Sequence, residues 1–223
     1  MKKIVIFSGA GISAESGLST FRDNGGIWDQ YPIEEVATPE AWLKNPKKVN
    51  EFYNMRRKNC LEAEPNNAHN KIASLENRFD ISIITQNIDD LHERAGSKNI
   101  IHLHGEIIKS RSSVTNETFH IKGSKIKENE LCPKGYPLRP HVVWFGEDVP
   151  NLTLATNLVN EADILVIIGT SLRVYPAANL IYQTNSKCMK YIIDPNEIDV
   201  PNDVIHINEK GSVGIDKLIQ LIK

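Results

Sequence analysis

The sequence predicts an α/β protein with a doubly wound parallel sheet, a small inserted lobe and a helical insertion. Three observations predict this fold. Short β-branched runs alternate with helical patterns, several runs are apolar at consecutive positions, and the first run leads into a glycine-rich turn. Consecutive apolar positions are typical of strands that are covered on both faces of a parallel sheet. The alternation of strands with helices favours a doubly wound arrangement.

The predicted elements follow in chain order. Strands are expected at residues 3–7, 81–85, 141–145, 164–168 and 191–194, and helices at 47–60, 67–79, 152–162 and 214–222. A chain of 223 residues fits one domain with insertions. We expect the large lobe at 1–24, 65–105 and 138–223, and small-lobe insertions at 25–64 and 106–137. The second insertion is polar and rich in lysine, which is typical of a solvated face.

The composition disfavours several classes of protein. The net charge is −2, which does not indicate nucleic acid or a membrane surface as a main partner. No apolar run approaches the roughly 18 residues that span a bilayer, and the first strand is too short for a signal peptide. Cys60, Cys132 and Cys188 are widely spaced and do not form a disulfide framework. We therefore expect a cytoplasmic monomer with no nucleic-acid or membrane partner.

A glycine-rich turn follows the first strand. Gly9, Gly11 and Ala14 occupy the small positions of G-x-G-x-x-G/A, the signature of a Rossmann-like sheet. Glycines let backbone N–H groups approach phosphate oxygens, so the turn predicts a diphosphate-binding loop. The alternative is a turn that small residues merely shape. No strand ends in an acidic residue about 20 residues later, where a dehydrogenase binds its ribose, so hydride transfer is disfavoured.

Polar residues follow the second predicted strand. Ligands of open α/β sheets bind beyond the carboxyl ends of the strands, so Gln86, Asn87 and Asp89 are candidate site residues. The alternative is that Asn87 or Asp89 caps a helix at residues 90–95. A second small-residue turn at residues 169–171 suits ribose or phosphate contacts, although it could equally be a plain strand-to-helix turn.

Two histidines end the next apolar run. Histidine titrates near neutral pH and is the commonest general base. His102 and His104 are two residues apart, and we expect at most one of them to face a given cleft. His104, beside Gly105, is the better candidate, and a histidine–glycine turn is the alternative.

Taken together, these motifs resemble the sirtuins, the NAD-dependent protein deacylases, over nearly the whole chain. Several motifs in one order are far more specific than any one of them. The matching residues are 9–13, Gly17, Leu18, 21–23, 85–92, His104, Gly105, 138–140, 145–147 and 169–171.

The resemblance implies NAD as co-substrate and acylated-lysine proteins as partners. In the family, the acyl-lysine oxygen attacks C1′ of the nicotinamide ribose, and nicotinamide leaves. A base then activates a ribose hydroxyl, which gives free lysine and O-acyl-ADP-ribose. By the same resemblance His104 is the base, and Asn87 and Asp89 are catalytic residues of the nicotinamide pocket. The implied cofactor-binding residues are Gly9, Ala10, Gly11, Ile12, Ser13, Phe21, Arg22, Trp28, Gln86, Asn87, Ile88, Asp89, Gly169, Thr170, Ser171, Asn196 and Val213.

The resemblance extends to the substrate side. Ala37, Tyr53 and Arg56 are similar to the subgroup that removes succinyl and related acidic acyl groups. Tyr53 and Arg56 are three residues apart and would share a helix face, where a phenol and a guanidinium can bind a carboxylate. The alternative is that this helix simply exposes its polar side. The strip on which the substrate peptide adds as a β-strand is implied at Val142, Phe145, Gly146 and Glu147.

The chain departs from the family in two places. Most sirtuins carry two Cys-x-x-Cys pairs in a zinc-ribbon lobe, whereas here Ser112 and Thr115 replace the first pair and only Cys132 remains of the second. A structural zinc site needs four ligands, so we expect no bound zinc and a degenerate lobe held by its own packing. Asp194 and Asn196 stand where the family shows Ile-Asn, and either could contact a ribose hydroxyl.

Two other functions remain open. An NAD glycohydrolase or ADP-ribosyltransferase would use the same Asn87, Asp89 and His104 with another acceptor. A non-catalytic NAD or ADP-ribose binding module is the second alternative, and the presence of a candidate base argues against it.

Overall fold

The computed structural model describes residues 1–21 and 25–222. Its strands are β1 (Lys3–Ser8), β2 (Asp80–Thr85), β3 (Ile100–His102), β4 (Gly105–Ser112), β5 (Thr118–His120), β6 (Leu138–Val142), β7 (Ile164–Ile168), β8 (Met189–Ile193) and β9 (Val204–Ile207). Its helices are α1 (Ala10–Ala14), α2 (Ile27–Gln30), α3 (Ile33–Val36), α4 (Pro39–Lys44), α5 (Pro46–Glu62), α6 (Asn67–Leu75), α7 (Leu91–Arg94), α8 (Leu152–Asn160) and α9 (Gly211–Leu221), with a 3₁₀ helix at Ala177–Gln183.

The larger sheet has six parallel strands in the order β3-β2-β1-β7-β8-β9. Successive residues of β1 alternate between two apolar cores. Ile4 and Ile6 pack with residues of α6 and α9, whereas Val5 and Phe7 pack with residues of α8 and the 3₁₀ helix. Both faces of the sheet are therefore covered by helices, and the predicted doubly wound, Rossmann-like fold is confirmed.

A smaller antiparallel sheet, in the order β5-β4-β6, forms a separate layer. Its main support is α5, a 17-residue helix whose N-cap Asn45 accepts a hydrogen bond from the Lys48 N–H at 3.0 Å. One face of α5 buries Val49, Phe52 and Cys60. Burial of each such apolar side chain contributes roughly 1.5–3 kcal/mol, which holds the helix against the sheet.

One predicted strand is wrong in position and in sheet. Residues 141–145 were expected in the parallel sheet, but the strand runs from Leu138 to Val142 and pairs antiparallel with β4. Pro140 has no N–H to donate, and β6 is an edge strand, where a proline is tolerated. The chain after Val142 forms a turn closed by the Glu147 N–H, which donates to the Trp144 carbonyl at 3.0 Å.

Other element bounds differ by a few residues from the predictions. The helix expected at 67–79 ends at Leu75, and the one expected at 214–222 begins at Gly211. The structure adds β4, β5 and β9, which were not predicted. Cys60, Cys132 and Cys188 are free and buried. Within residues 1–21 and 25–222, no helix combines the length and the apolar character needed to cross a membrane.

Candidate active site

A cleft of about 980 Å³ is lined by the residues that follow β1, β2 and β7, and by residues of α5 and the small sheet. It brings together most of the predicted cofactor residues, namely Gly9, Ala10, Gly11, Phe21, Trp28, Gln86, Asn87, Ile88, Gly169, Thr170, Ser171 and Asn196. It also holds His104 and the predicted substrate residues Ala37, Tyr53, Arg56, Val142, Phe145, Gly146 and Glu147.

Some predicted site residues are not in the lining of the cleft. Ile12, Ser13 and Asp89 are buried, and Val213 is half-exposed on α9. Arg22 lies outside the described residues, so the structure says nothing of its predicted role.

The two small-residue turns touch each other. The Gly9 N–H donates to the Ile168 carbonyl at 3.0 Å, and the Gly11 N–H donates to the Gly169 carbonyl at 2.8 Å. A Cβ on Gly11 would lie 2.7 Å from Gly169 Cα. Gly169 has φ +63°, and a Cβ there would lie 2.2 Å from the Ile12 nitrogen. The glycines are therefore required by the packing of the turns, whatever binds above them.

Asn87 and Asp89 are buried in a network with the first turn. The Asn87 amide Nδ2 donates to the Gly9 carbonyl and lies 3.1 Å from Ser13 Oγ, which in turn donates to Asp89 Oδ2 at 3.1 Å. Burial raises the pKa of the Asp89 carboxyl, and the hydrogen bonds from Leu91 and Ser13 oppose it. The Leu91 N–H donates to Asp89 Oδ1 at 3.2 Å, whereas the N-cap position of the short helix α7 is Asp90.

The two histidines have different surroundings. His102 uses both ring nitrogens, with Nδ1 3.0 Å from the Asn87 carbonyl and Nε2 2.8 Å from the Glu93 carboxylate. Burial lowers the pKa of His102, but the contacts with Glu93 outweigh that effect, and the net shift is upward. Only His104 lines the cleft, from the link between β3 and β4. β3 ends at His102, so the two side chains do not belong to one regular strand and do not have to share a face.

The protonation of His104 follows from its one hydrogen bond. Nδ1 lies 3.0 Å from the Gln86 carbonyl, which can only accept, so Nδ1 carries the proton and Nε2 has a free lone pair. Burial lowers the pKa of His104, and the bond to Gln86 only partly offsets this. The imidazole is therefore neutral at pH 7, the form that can act as a base.

Tyr53 and Arg56 share the cleft-facing side of α5. They are 3% and 8% exposed, so the alternative of an exposed polar helix face is wrong for these two side chains. The Arg56 guanidinium lies 4.6 Å from the Phe21 ring centroid, and its Nε and Nη1 find no hydrogen-bond partner among the described residues. Burial lowers the pKa of Arg56. A buried cation with unused donors is suited to an anionic ligand.

An aromatic group lies beside Arg56. Trp28 has ring-centroid distances of 5.1 Å to Phe21, 6.4 Å to Phe52 and 5.9 Å to Phe145. These rings border the cleft with apolar surface, which lowers the local dielectric constant and strengthens any charge pairing at Arg56.

Sequence reasoning assigned no role to Arg57. Its side chain is fully buried and donates to the Ile107 carbonyl at 2.5 Å and to Asn54 Oδ1 at 2.6 Å. Asn54 in turn makes two 2.9 Å hydrogen bonds with the backbone of Ile126. This pair ties α5 to the small lobe, and the helical pattern alone carried no signal of it.

The positions that the resemblance compares with zinc ligands have other contacts in the small lobe. Ser112 Oγ accepts hydrogen bonds from the N–H groups of Val114 and Thr115 at 3.3 and 3.1 Å. Cys132 is buried against Ile126 and Leu138. Within the described part of the chain, no group of three or more His, Cys, Asp or Glu side chains is placed to hold a metal ion.

The residues after β8 lie at the far end of the cleft. Asp194 Oδ1 accepts hydrogen bonds from the Asn196 backbone at 2.9 Å and from Asn196 Nδ2 at 3.1 Å. Both residues line the cleft, so either remains available to a ribose hydroxyl.

The fold and the site together define an α/β protein of the nucleotide-binding class. The sheet is Rossmann-like, two glycine turns touch at its edge, and the cleft beside a second lobe holds a neutral histidine. The Sir2 family model matches residues 9–176 of the sequence. The chain belongs to the Sir2 family, and the resemblance to sirtuins is confirmed.

Relatives and solved structures agree with this assignment. The chain is 50% identical over 230 residues to the NAD-dependent protein deacylase of Bacteroides thetaiotaomicron, covering 100% of this chain and 98% of the relative. A solved complex of a Sir2 homologue mutant with ADP-ribose has a TM-score of 0.92 and 40% identity, covering 98% of this chain and 91% of the other. A Sir2 mutant with a deacetylated p53 peptide and 3′-O-acetyl ADP-ribose has a TM-score of 0.87 and 31% identity, covering 98% and 92%.

Proposed function

We propose that this protein is an NAD-dependent protein-lysine deacylase whose preferred substrates carry acidic acyl groups. It transfers the acyl group to ADP-ribose and releases nicotinamide. The deacylase activity is that of a relative 50% identical over the whole chain. The acidic-acyl preference is the finer statement, and one observation carries it: the buried Arg56 guanidinium in the cleft has donors without partners among the described residues.

The cofactor end of the cleft fits NAD. A Cβ on Gly9 would lie 2.6 Å from Thr170 Cβ, and one on Gly11 would lie 2.7 Å from Gly169 Cα, so only glycines allow these turns to form the floor of the cleft. We assign the diphosphate to residues 9–13 and 169–171, and the nicotinamide to Asn87 and Asp89. Gln86 would reach the ribose, since its Nε2 already extends over the second turn and donates to Thr170 Oγ1 at 3.0 Å.

His104 is the base in this assignment. After nicotinamide leaves, its Nε2 would remove the proton from a ribose hydroxyl, and that oxygen would attack the carbon of the transferred acyl group. The fixed Nδ1–H supports this role, because the Gln86 carbonyl both orients the ring and stabilises the imidazolium that forms. A neutral ring at pH 7 keeps the base ready.

The acyl pocket is assigned to Ala37, Tyr53 and Arg56. A carboxylate on the acyl chain would pair with the free N–H groups of Arg56 and accept a hydrogen bond from the Tyr53 phenol. Burial raises the pKa of that phenol, so it keeps its proton and remains a donor. An acetyl group offers no such charge and leaves Arg56 unpaired.

The test is mass spectrometry of the products from matched acetyl-lysine and succinyl-lysine peptides incubated with NAD. We expect O-succinyl-ADP-ribose, nicotinamide and free lysine, formed faster than the acetyl products. Nicotinamide release without any peptide would instead favour an NAD glycohydrolase. Faster acetyl turnover would contradict the acidic-acyl preference and leave the deacylase intact.

Further expectations belong with this function. We propose that the small lobe holds no zinc, because Ser112 and Cys132 are occupied by turn hydrogen bonding and apolar packing. We also propose a cytoplasmic monomer without nucleic-acid or membrane partners, in keeping with the net charge of −2. Light scattering on the eluted protein checks the monomer.

A further inference from the structure

The carboxylate of Glu147 is fully engaged within the protein. It accepts hydrogen bonds from Arg139 Nη1 at 2.7 Å and Nη2 at 3.0 Å, from Arg111 Nη2 at 2.9 Å, and from the Trp144 N–H at 2.8 Å. A carboxylate offers about four acceptor sites, so none is left over for a ligand. The three charged side chains are 9–19% exposed, which protects these bonds from water.

The same network reaches the ring of Trp144. The Arg139 guanidinium carbon lies 3.3 Å from the Trp144 ring centroid, and its Nη2 also donates to the Val142 carbonyl at 3.0 Å. Trp144 is 2% exposed. Arg139 thus contacts the last residue of β6, Val142, and the first residue of the turn at residues 144–147, Trp144.

The turn is joined directly to the acyl pocket. The Phe145 N–H donates to the Ala37 carbonyl at 3.0 Å. Trp144, Tyr53 and Ala37 are also buried in one apolar cluster. A shift of the turn would therefore alter the position of the peptide strip relative to the pocket wall.

We propose that Glu147 is a positioning residue rather than a substrate-binding one. With Arg139 and Arg111 it holds the turn at residues 144–147 at a fixed distance from Ala37, so that a docked peptide delivers its acyl-lysine into the pocket. This inference rests on the proposed function and on the peptide strip that the resemblance implies, and it gives the Glu147 side chain a role that the strip alone does not.

The test is Glu147→Gln, which keeps the shape of the side chain and removes its charge, with Glu117→Gln as the matched control. Glu117 is an exposed carboxylate of the small lobe that pairs with Lys134 at 2.8 Å. Three acyl-lysine peptides are compared, with the acyl-lysine flanked by glutamate, alanine or lysine. We expect the peptide KM of Glu147→Gln to rise about tenfold for all three, because charge-assisted hydrogen bonds are lost. The kcat and the KM for NAD should change less than about threefold.

Each other outcome overturns the proposal. A rise in KM confined to the lysine-flanked peptide would mean that Glu147 contacts substrate. An unchanged KM would mean that the turn needs no such support. A parallel rise in the KM for NAD would mean general damage to the fold.

A second variant covers the case in which Glu147→Gln does not fold. Arg111→Met removes one donor of the network and leaves the Arg139 pair, so it should raise the peptide KM in the same sequence-independent way but less. No rise, or a rise for one peptide only, contradicts the proposal. Acetyl and succinyl peptides serve equally, so a wrong acyl preference does not affect the result. If the wild-type protein deacylates neither the acetyl nor the succinyl peptide, the proposed function is refuted before any variant is made. This inference, which rests on that function, is then refuted with it.

Discussion

The two ends of the cleft are built differently. The cofactor end consists of backbone turns in contact, where Gly9, Gly11 and Gly169 exclude side chains and the polar groups bond to each other. The acyl end consists of side chains from separate segments, and Arg56 keeps donors unused among the described residues. A close-packed site whose polar groups are already paired discriminates between ligands by their shape. A site with unpaired hydrogen-bond donors discriminates between ligands by their charge and acceptor groups. Under the proposed function, the first end would fix the reaction and the second would set which acyl group undergoes it.

The cofactor end should not tolerate even one methyl group at its centre. Gly169→Ala puts a Cβ 2.2 Å from the Ile12 nitrogen at φ +63°. We expect a loss of about 3 kcal/mol or more in the free energy of unfolding and no turnover of any acyl peptide. Urea denaturation and nicotinamide release measure both. Gly17→Ala is the control, since its φ is also positive but no atom lies within 4 Å of the added Cβ. It should lose only about 1 kcal/mol. Equal effects would mean that loop contact does not matter.

If His104 is the base, its protonation should determine how kcat/KM depends on pH. Burial lowers the pKa of His104, so the active neutral form persists until the pH falls below the ordinary histidine value of 6.5. We expect kcat/KM to decline only below that pH. His104→Gln should lower kcat about 10²- to 10⁴-fold for acetyl and succinyl peptides alike. His120→Gln, an exposed histidine of β5, is the control. An acid limb above pH 6.5, or a near-normal His104→Gln enzyme, contradicts the assignment.

The acyl end should respond selectively. Arg56→Met keeps the apolar stem and removes the charge, so it should cut kcat/KM for succinyl peptides about 10- to 150-fold, the equivalent of 1.5–3 kcal/mol. Deacetylation should change less than about threefold. The comparison is steady-state kinetics on matched peptides, with the exposed Lys58→Met on the same helix as control. Equal loss of both activities would show that Arg56 supports the fold rather than the choice of acyl group.

The smallest effect is expected from metal removal. If side chains alone hold the small lobe, EDTA should leave activity and melting temperature unchanged, and elemental analysis should find no stoichiometric zinc. Asn54→Ala, which removes both bonds to Ile126 and one from Arg57, should instead lower stability by about 1–3 kcal/mol. Stoichiometric zinc, or a chelator effect larger than that of Asn54→Ala, would contradict a lobe held by its own contacts.

The cofactor end of the cleft could be predicted from the sequence more fully than the contacts between distant segments. The turns at residues 9–13, 86–89 and 169–171 each follow a buried strand directly, so short-range pattern places them at one edge of the sheet. The choice of His104 over His102 rested on the neighbouring Gly105 and on the family resemblance. The Glu147 network joins Arg111 and Arg139, which neighbour it only in the folded chain.

The small sheet was missed for a related reason. Residues of β4 alternate between buried and half-buried positions, and β5 is short and polar, so neither produces a continuous apolar run. Pro140 and Arg139 also make β6 hard to recognise as a strand from its sequence. A proline is tolerated there because β6 is an edge strand, and the Arg139 guanidinium is buried because it pairs with Glu147. Such elements are specified by their partners across the sheet rather than by local pattern.

Arg56 links substrate choice to the folding equilibrium. Two guanidinium nitrogens of Arg56 give up hydration without a hydrogen-bond partner among the described residues, so the unliganded protein should be less stable than it would be with an apolar residue there. By mass action, a ligand that binds only the folded chain adds RT ln(1 + [L]/Kd) to its stability. Succinyl-lysine peptide should therefore raise the melting temperature more than acetyl-lysine peptide, and Arg56→Met should erase that difference while melting higher than wild type when empty. The residue proposed to select the acyl group would thus also report ligand binding through the melting temperature, which calorimetry can measure without any turnover.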